Sequence, residues 1–371
     1  MAISTIPSAG ITGGGFNFRN LIINGDMSIA QRGAGPSGTF AGSGYSEGPD
    51  RFRHGIANLG TWQTSQSTDV PTGQGFSKSF KIALQSTDAS PAASDEAAIN
   101  YRLEGQNLQS LKKGTSNAES VTLSFWVKST KTGTYIAEIF DADNSRTINK
   151  AYTISSANTW EKKTITYEGD TTGTLDNDNA RSLQINFWLG AGSNFTSGTL
   201  ATTWASQTNA NRAVGQVNLA DTASAEWYIT GVQLEVGTTA SDFEFLPYDV
   251  NLQRCQRYFQ IYMNSSSSLK DYLGGHIHDN DTFRMSLTFP VEFRTTPSLT
   301  SSSSGSADHW RVITSSINTN YGSAITFNGS TKSGQFTLAD TGGTDMSPHV
   351  DDPGYMQNNQ SSCYLKMDAE L

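Results

Sequence analysis

Two cysteines in 371 residues, Cys255 and Cys363, are too few for a disulfide framework. They fit a chain folded in a reducing cytosol, with room for one C-terminal bridge. Charge is scarce as well: Asp, Glu, Lys and Arg make up 16%, against roughly a quarter in ordinary soluble proteins. Positive charge is the scarcer sign, with 25 basic and 34 acidic side chains and a net charge of −9. That balance argues against a binder of phosphate backbones. Residues 251–371 hold 8 basic and 11 acidic side chains and the remainder 17 and 23, so no basic domain hides in the acidic total. No apolar run approaches the roughly 18 residues of a membrane helix, so no membrane insertion is expected. The opening MAISTIPSAGITGGG lacks the basic and then apolar segments of a secretory signal. Also missing are a G-x-S-x-G elbow, an H-E-x-x-H pair, a phosphate-cradling loop and a fixed repeat. With 34 acids any carboxylate spacing arises by chance, and the expectation is a protein that is not an enzyme.

Small polar residues fill the gap: 88 of the 371 residues are Ser or Thr and 35 are Gly. That mixture is poor in helix formers and rich in strand and turn formers. Aromatics still reach 10%, enough for packed cores. The first strand signal is 18–24, closed by Asn24-Gly25-Asp26. Further strands are expected at 60–65, 78–85, 98–103, 120–128, 133–141, 146–154, 161–168, 182–189 and 226–236. Within 120–128, Val121, Leu123, Phe125 and Val127 share one face. About ten strands with turns between them spell a β-sandwich. The polar, Asn-rich stretch 190–224 is long for a connection, which marks it as functional or packed on a partner.

A boundary falls near 246–252. Residues 251–263 suit a short amphipathic helix or a strand entry. A second β unit follows, with strands at 283–289, 298–301, 309–315, 324–328, 334–339 and 362–369. The fold class expected is therefore all-β: a jelly-roll β-sandwich over 17–250, then a second, smaller β-sandwich domain over 251–371. Residues 1–16 form an N-terminal arm.

The block Asn20-Leu-Ile-Ile-Asn24-Gly25-Asp26-Met27 resembles the opening of carbohydrate-binding-module jelly rolls, and Ile229 to Gly237 (ITGVQLEVG) resembles their last strand. The ordered series NLIINGDM, AQRG, PDRF, GQVNLADTASAEWYITGVQLEVG, CQRYFQ, FPVEFRTTP and a DAEL ending resembles a class of bacteriophage tail-fibre and receptor-binding proteins. The resemblance implies a virion protein made in the host cytoplasm, commonly a homotrimer. Its arm would join other phage tail proteins and its jelly roll would meet a host-surface glycan.

Glycan binding needs flat rings for sugar C–H faces beside amides and carboxylates. Trp188, Trp204 and Trp310 lie in or beside polar, loop-like sequence, and Tyr321 lies near Asn318 and Asn320; these are the candidate platforms. Trp126 and Trp227 fall inside strand patterns and read as core. No cofactor is required. The jelly-roll resemblance implies a structural calcium between first and last strands, for which Asp26 and Glu235 are the matching positions, with Met27-Ser28 where the family carries an aromatic and a Glu. The Asp141–Ser145 and Asp176–Asn179 runs suit oxygen-ligand loops or plain turns. His276 and His278 would point the same way from a strand. Three such pairs on a threefold axis would supply six nitrogens to one metal, as in some phage fibre tips; two solvated histidines are the alternative.

The function expected is a phage tail-fibre component that recognises host glycans. Two alternatives are a non-adhesive adaptor or capsid decoration, which predicts that Trp188, Trp204 and Trp310 are buried or sit at subunit contacts, and a glycan depolymerase, which predicts paired carboxylates in a groove.

Overall fold

The computed structural model describes residues 18–264, 272–302, 309–321, 325–339, 346, 349–358 and 363–371, without the side chains of 264 and 319–321. The arm at 1–16 lies outside them. The chain divides into two compact units, Met1–Asn251 together with Leu371, and Leu252–Glu370.

In the first unit the strands are β1 (Phe52–Ala57), β2 (Thr61–Ser67), β3 (Ser79–Ser86), β4 (Glu96–Glu104), β5 (Val121–Ser129) and β6 (Gly133–Asp141). After them come β7 (Arg146–Ile154), β8 (Glu161–Tyr167), β9 (Arg181–Ala191), β10 (Ala205–Ser206) and β11 (Glu226–Val236). They form a six-stranded sheet in the order β1-β4-β9-β6-β7-β10 and a five-stranded sheet in the order β2-β3-β11-β5-β8. The chain passes back and forth between the sheets, the wrap of a jelly roll. Strand alternation explains the core. Val121, Leu123, Phe125 and Val127 all point inward and are buried, and meet Ile99, Tyr101, Ile185 and Phe187 of the facing sheet. Each such side chain contributes roughly 1.5–3 kcal/mol.

Residues 18–24 are not a strand. Asn20 and Asn24 satisfy this backbone by side-chain bonds instead of a ladder. Asn20 Oδ1 accepts from Ile22 N (2.9 Å) and Leu234 N (3.1 Å), and Asn24 Oδ1 accepts from Ile29 N (2.9 Å) while its Nδ2 donates to Asp50 O (3.0 Å). The segment plugs one end of the sandwich beside β11. Gly25 is required there, because an added Cβ would sit 2.1 Å from the Val232 carbonyl oxygen.

β1 carries His54, 6% exposed, its ring stacked 3.7 Å from Phe40 and its Nδ1 2.9 Å from Gly42 O. Burial is the main cause that pushes its pKa down to about 4. Unfolded His54 takes its proton near 6.5, so the native state loses stability as pH falls from about 6.5 to about 4 and no further below that, by at most about 3 kcal/mol. Urea midpoints at pH 7 and pH 4.5 should therefore converge for His54→Gln relative to the wild type. Equal pH slopes for the two proteins would refute this.

The second unit holds β12 (Phe259–Asn264), β13 (Tyr272–Asp279), β14 (Thr282–Thr288), β15 (Ser298–Ser301), β16 (Trp310–Thr314) and β17 (Asn318–Tyr321). It is completed by β18 (Ile325–Gly329), β19 (Ser333–Ala339), β20 (Pro353–Asn358) and β21 (Tyr364–Asp368). Sheets β12-β21-β15 and β17-β16-β20-β13-β14-β19-β18 share a core of Met263, Leu365 and Met367 from the first and Ile277, Phe283 and Trp310 from the second. This is the second, smaller β-sandwich. Residues 251–263 resolve into both expected forms, a helix Tyr248–Gln256 and then β12. Cys255 and Cys363 are buried and not joined in a disulfide, so the C-terminal bridge is not formed; Cys363 Sγ donates to His309 O (2.8 Å). Among the described residues no helix is long and apolar enough to cross a membrane.

Candidate functional site

The alternation that sends Phe125 inward sends Thr122, Ser124, Trp126 and Lys128 to the outer face of the five-stranded sheet. Trp126 stands there on β5, opposite Thr230 of β11 on one side and Lys162 of the edge strand β8 on the other. Beside it β11 bulges between Thr230 and Gln233. Gly231 occupies the bulge at φ 61°, and a Cβ there would lie 2.5 Å from Phe76 Cζ. The bulge depresses the sheet locally, and glycine is what leaves room for the ring.

A strap at 237–245 closes this depression. Glu235 holds it: Oε1 accepts from Ser241 N (2.8 Å) and Oε2 from Ser241 Oγ (2.6 Å). Gln233 Oε1 accepts from Glu244 N (2.9 Å). The strap thereby sets Phe243 and Phe245 against Phe76, with centroids 4.8–5.1 Å apart. The result is a cleft of about 220 Å³ with aromatic walls (Trp126, Phe243, Phe245) and polar groups from Gln74, Ser124, Lys162, Ser241 and Asp242. Trp126 and Phe243 are half-buried, and Phe245 is 49% exposed. Further along the same face, Lys128 Nζ sits 4.4 Å from the Tyr228 ring centroid and Trp160 Nε1 donates to Asp69 Oδ1 (2.9 Å). Burial would raise the Asp69 pKa, but its bonds to Lys128 and Trp160 outweigh this and hold it below the usual aspartate range.

Trp126 therefore corrects its assignment to the core. Its neighbours in sequence already carried the signal, since every second residue from Thr122 to Lys128 is polar or amphipathic.

The expected platforms fare differently. Trp188 is 1% exposed: it lies on the outer face of the six-stranded sheet, but the stretch 190–224 folds back over it, and Phe195 and Ala213 pack on the ring. Its Nε1 donates to Glu138 Oε2 (3.0 Å). Trp310 is fully buried in the second core, with Nε1 donating to Ser302 O (3.2 Å). Neither is a surface platform. Trp204 is half-buried, packed on the main core, with Lys113 Nζ 4.8 Å from its ring centroid and Nε1 donating to Glu168 O (2.7 Å). Tyr321 ends β17 opposite Trp310, and its side chain lies outside the described residues.

Asp26 and Glu235 are each occupied by protein donors. Asp26 Oδ1 accepts from Ser28 Oγ (3.1 Å) and Asn251 Nδ2 (3.0 Å), and Glu235 anchors the strap. Among the described residues no three His, Cys, Asp or Glu side chains are grouped to hold a metal. His276 and His278 share the exposed face of β13, rings 6.1 Å apart, with Ile277 buried behind them.

This is a jelly-roll β-sandwich with an aromatic cleft on one sheet. No protein-family model matches the chain, and no curated protein sequence matches it. Among solved structures it is similar to the enzymatically active domain of tailspike protein 4 of bacteriophage CBA120 (16% identity, 59% of this chain and 21% of that one, TM-score 0.30). It is also similar to a carbohydrate-binding module in complex with β-1,4-galactotriose (12%, 59% and 99%, TM-score 0.29). A third is the family 11 carbohydrate-binding module of a cellulosomal cellulase of Clostridium thermocellum (12%, 58% and 95%, TM-score 0.26). The chain thus spans about a fifth of the tailspike domain.

Proposed function

We propose that this chain is a glycan-binding, adhesive component of a bacteriophage tail fibre and that the sugar lies in the Trp126 cleft. One observation carries the glycan part: half-exposed rings of Trp126, Phe243 and Phe245 face polar groups in a cleft large enough for a sugar ring. Sugar C–H faces stack on the rings while Gln74, Ser124 and Lys162 meet hydroxyls. The virion setting draws on the ordered sequence blocks that resemble tail-fibre proteins. In that setting three copies assemble, and avidity multiplies weak single contacts. Binding without cleavage is part of this proposal: Asp242 is the single carboxylate among the described lining residues of the cleft, and glycosidic hydrolysis as a rule uses two.

Burial of Trp188 and Trp310 is what the non-adhesive adaptor reading predicts, so that reading is the rival. Titration of the full chain with solubilised host-envelope polysaccharide and neutral oligosaccharides separates them. Saturable binding without release of new reducing ends is expected. No binding to any glycan would overturn the adhesive reading in favour of the adaptor. Light scattering should give about three times 40.0 kDa, and a monomer would remove the trimer.

A further inference from the structure

The outer face of the six-stranded sheet brings three guanidiniums together. Arg53 on β1, Arg102 on β4 and Arg181 on β9 are all half-buried there. Arg102 Nε and Arg181 Nη1 donate to the same oxygen, Gln184 Oε1, at 3.0 Å each, and Arg53 Nη1 donates to Asn100 Oδ1 (3.0 Å). Neutral amides are thus side-chain partners of all three guanidiniums, while Glu96 acts on Arg53 and Asp143 on Arg181 through space without a hydrogen bond. No Asp or Glu side chain makes an ion pair with any of them among the described residues. Burial, and then the neighbouring guanidinium of Arg102, lower the pKa of both Arg53 and Arg181. Placing like charges together costs stability unless an anion joins them.

Two further features point to a ligand. The main-chain oxygen of Leu371 accepts from Arg102 Nη1 and lies 3.5 Å from Tyr45 Oη, so an oxygen acceptor already sits at one corner of the cluster. Phe140, outward on β6 and half-buried, has the Arg181 guanidinium carbon 5.9 Å from its ring centroid and lies across the ladder from Gln184. A ring, a fork of guanidiniums and amide groups are what a sugar bearing a carboxylate requires.

We propose that Arg53, Arg102 and Arg181 form a second site, on the sheet opposite the Trp126 cleft, that takes the carboxylate of an acidic sugar, with Phe140 under its ring. This deepens the glycan reading and rests on it: the ligand class becomes an acidic polysaccharide of uronate or sialate type.

The test is calorimetric titration of the full chain with galacturonate, glucuronate and N-acetylneuraminate oligosaccharides, alongside methyl-esterified galacturonate oligomers. At least one acid should bind tenfold or more tighter than the esters, with affinity falling as salt is raised. Arg181→Gln and Arg53→Gln should each remove about tenfold of that preference and leave neutral-sugar binding unchanged. Arg181→Lys, which keeps the charge and loses the fork, should fall between. Acids and esters binding equally, or an acid preference untouched in Arg53→Gln and Arg181→Gln, would overturn the site while leaving the glycan reading intact. Thermal unfolding that drops in these variants with no acid bound by the wild type would make the arginines a clamp for Leu371 and overturn it too. Acid binding that survives Trp126→Ala supports this site even if the cleft binds nothing.

Discussion

Trp126→Ala should weaken glycan binding by nearly two orders of magnitude and shift the unfolding temperature by no more than a few degrees. A sugar face covering about 100 Å² of indole contributes ~2.5 kcal/mol at roughly 25 cal/mol per Å², and tenfold in affinity is about 1.4 kcal/mol. The ring is half-exposed and belongs to the outer face, so removing it opens no hole between the sheets. Trp126→Phe should keep much of the affinity. Gly231→Ala acts on the same site from beneath: its Cβ would meet Phe76 at 2.5 Å in a backbone conformation with φ of 61°, displacing the ring on which Phe243 and Phe245 rest. Binding should fall there as well, with a larger loss of stability. Unchanged affinity in Trp126→Ala, measured by titration with the best ligand of the wild type, would take the sugar out of this cleft.

How much of this could be read from the sequence depends on which physical rule each element obeys. Runs of apolar and β-branched residues bounded by turn residues mark strands whether one face or both are buried. The expected 133–141, 146–154 and 226–236 agree with β6, β7 and β11 at both ends. Where side chains replace ladder bonds, the same apolar and β-branched composition misleads, as at 18–24, where two asparagines do the work of a neighbouring strand. β13 went unnoticed because Gly274 and Gly275 weaken the strand pattern, and its fifth and seventh residues are the exposed His276 and His278.

The site failed for a different reason. Polar surroundings in sequence suggest exposure, yet Trp188 sits among polar residues that are themselves buried beneath 190–224. Conversely, a strand interior suggests core, although one face of each sheet looks outward and Trp126 is on it. The strap that completes the cleft comes from beyond β11, and no local pattern connects Phe243 and Phe245 to Phe76. Phe140 was equally hidden, because Ile136 and Glu138, its companions on the outward face of β6, are fully buried.

Glu138→Ala should be among the most destabilising single changes in the first unit, at about 3–5 kcal/mol, because it strands a buried cation. Glu138 is fully buried on the outer face of β6 and accepts from five donors. Arg212 Nε (2.8 Å), Arg212 Nη2 (3.1 Å), Thr147 Oγ1 (2.9 Å), Asn186 Nδ2 (2.9 Å) and Trp188 Nε1 (3.0 Å) all converge on it. Burial would lower the Arg212 pKa, but Glu138 outweighs it and the result is raised; without Glu138 the guanidinium still keeps its charge, because arginine is not deprotonated in proteins. Its charge would then lie 5.1 Å from the Trp188 ring centroid, with the hydrogen-bonded carboxylate gone and Glu96 acting on it only through space. Glu138→Gln should fall between, since an amide accepts at one oxygen only. Glu138→Leu combined with Arg212→Met should recover much of the loss, because the pair is then replaced by apolar volume and no charge is left unpaired. Urea unfolding of the three variants checks this. A double variant no more stable than Glu138→Ala would show that the amide and indole donors, rather than the stranded guanidinium, set the cost.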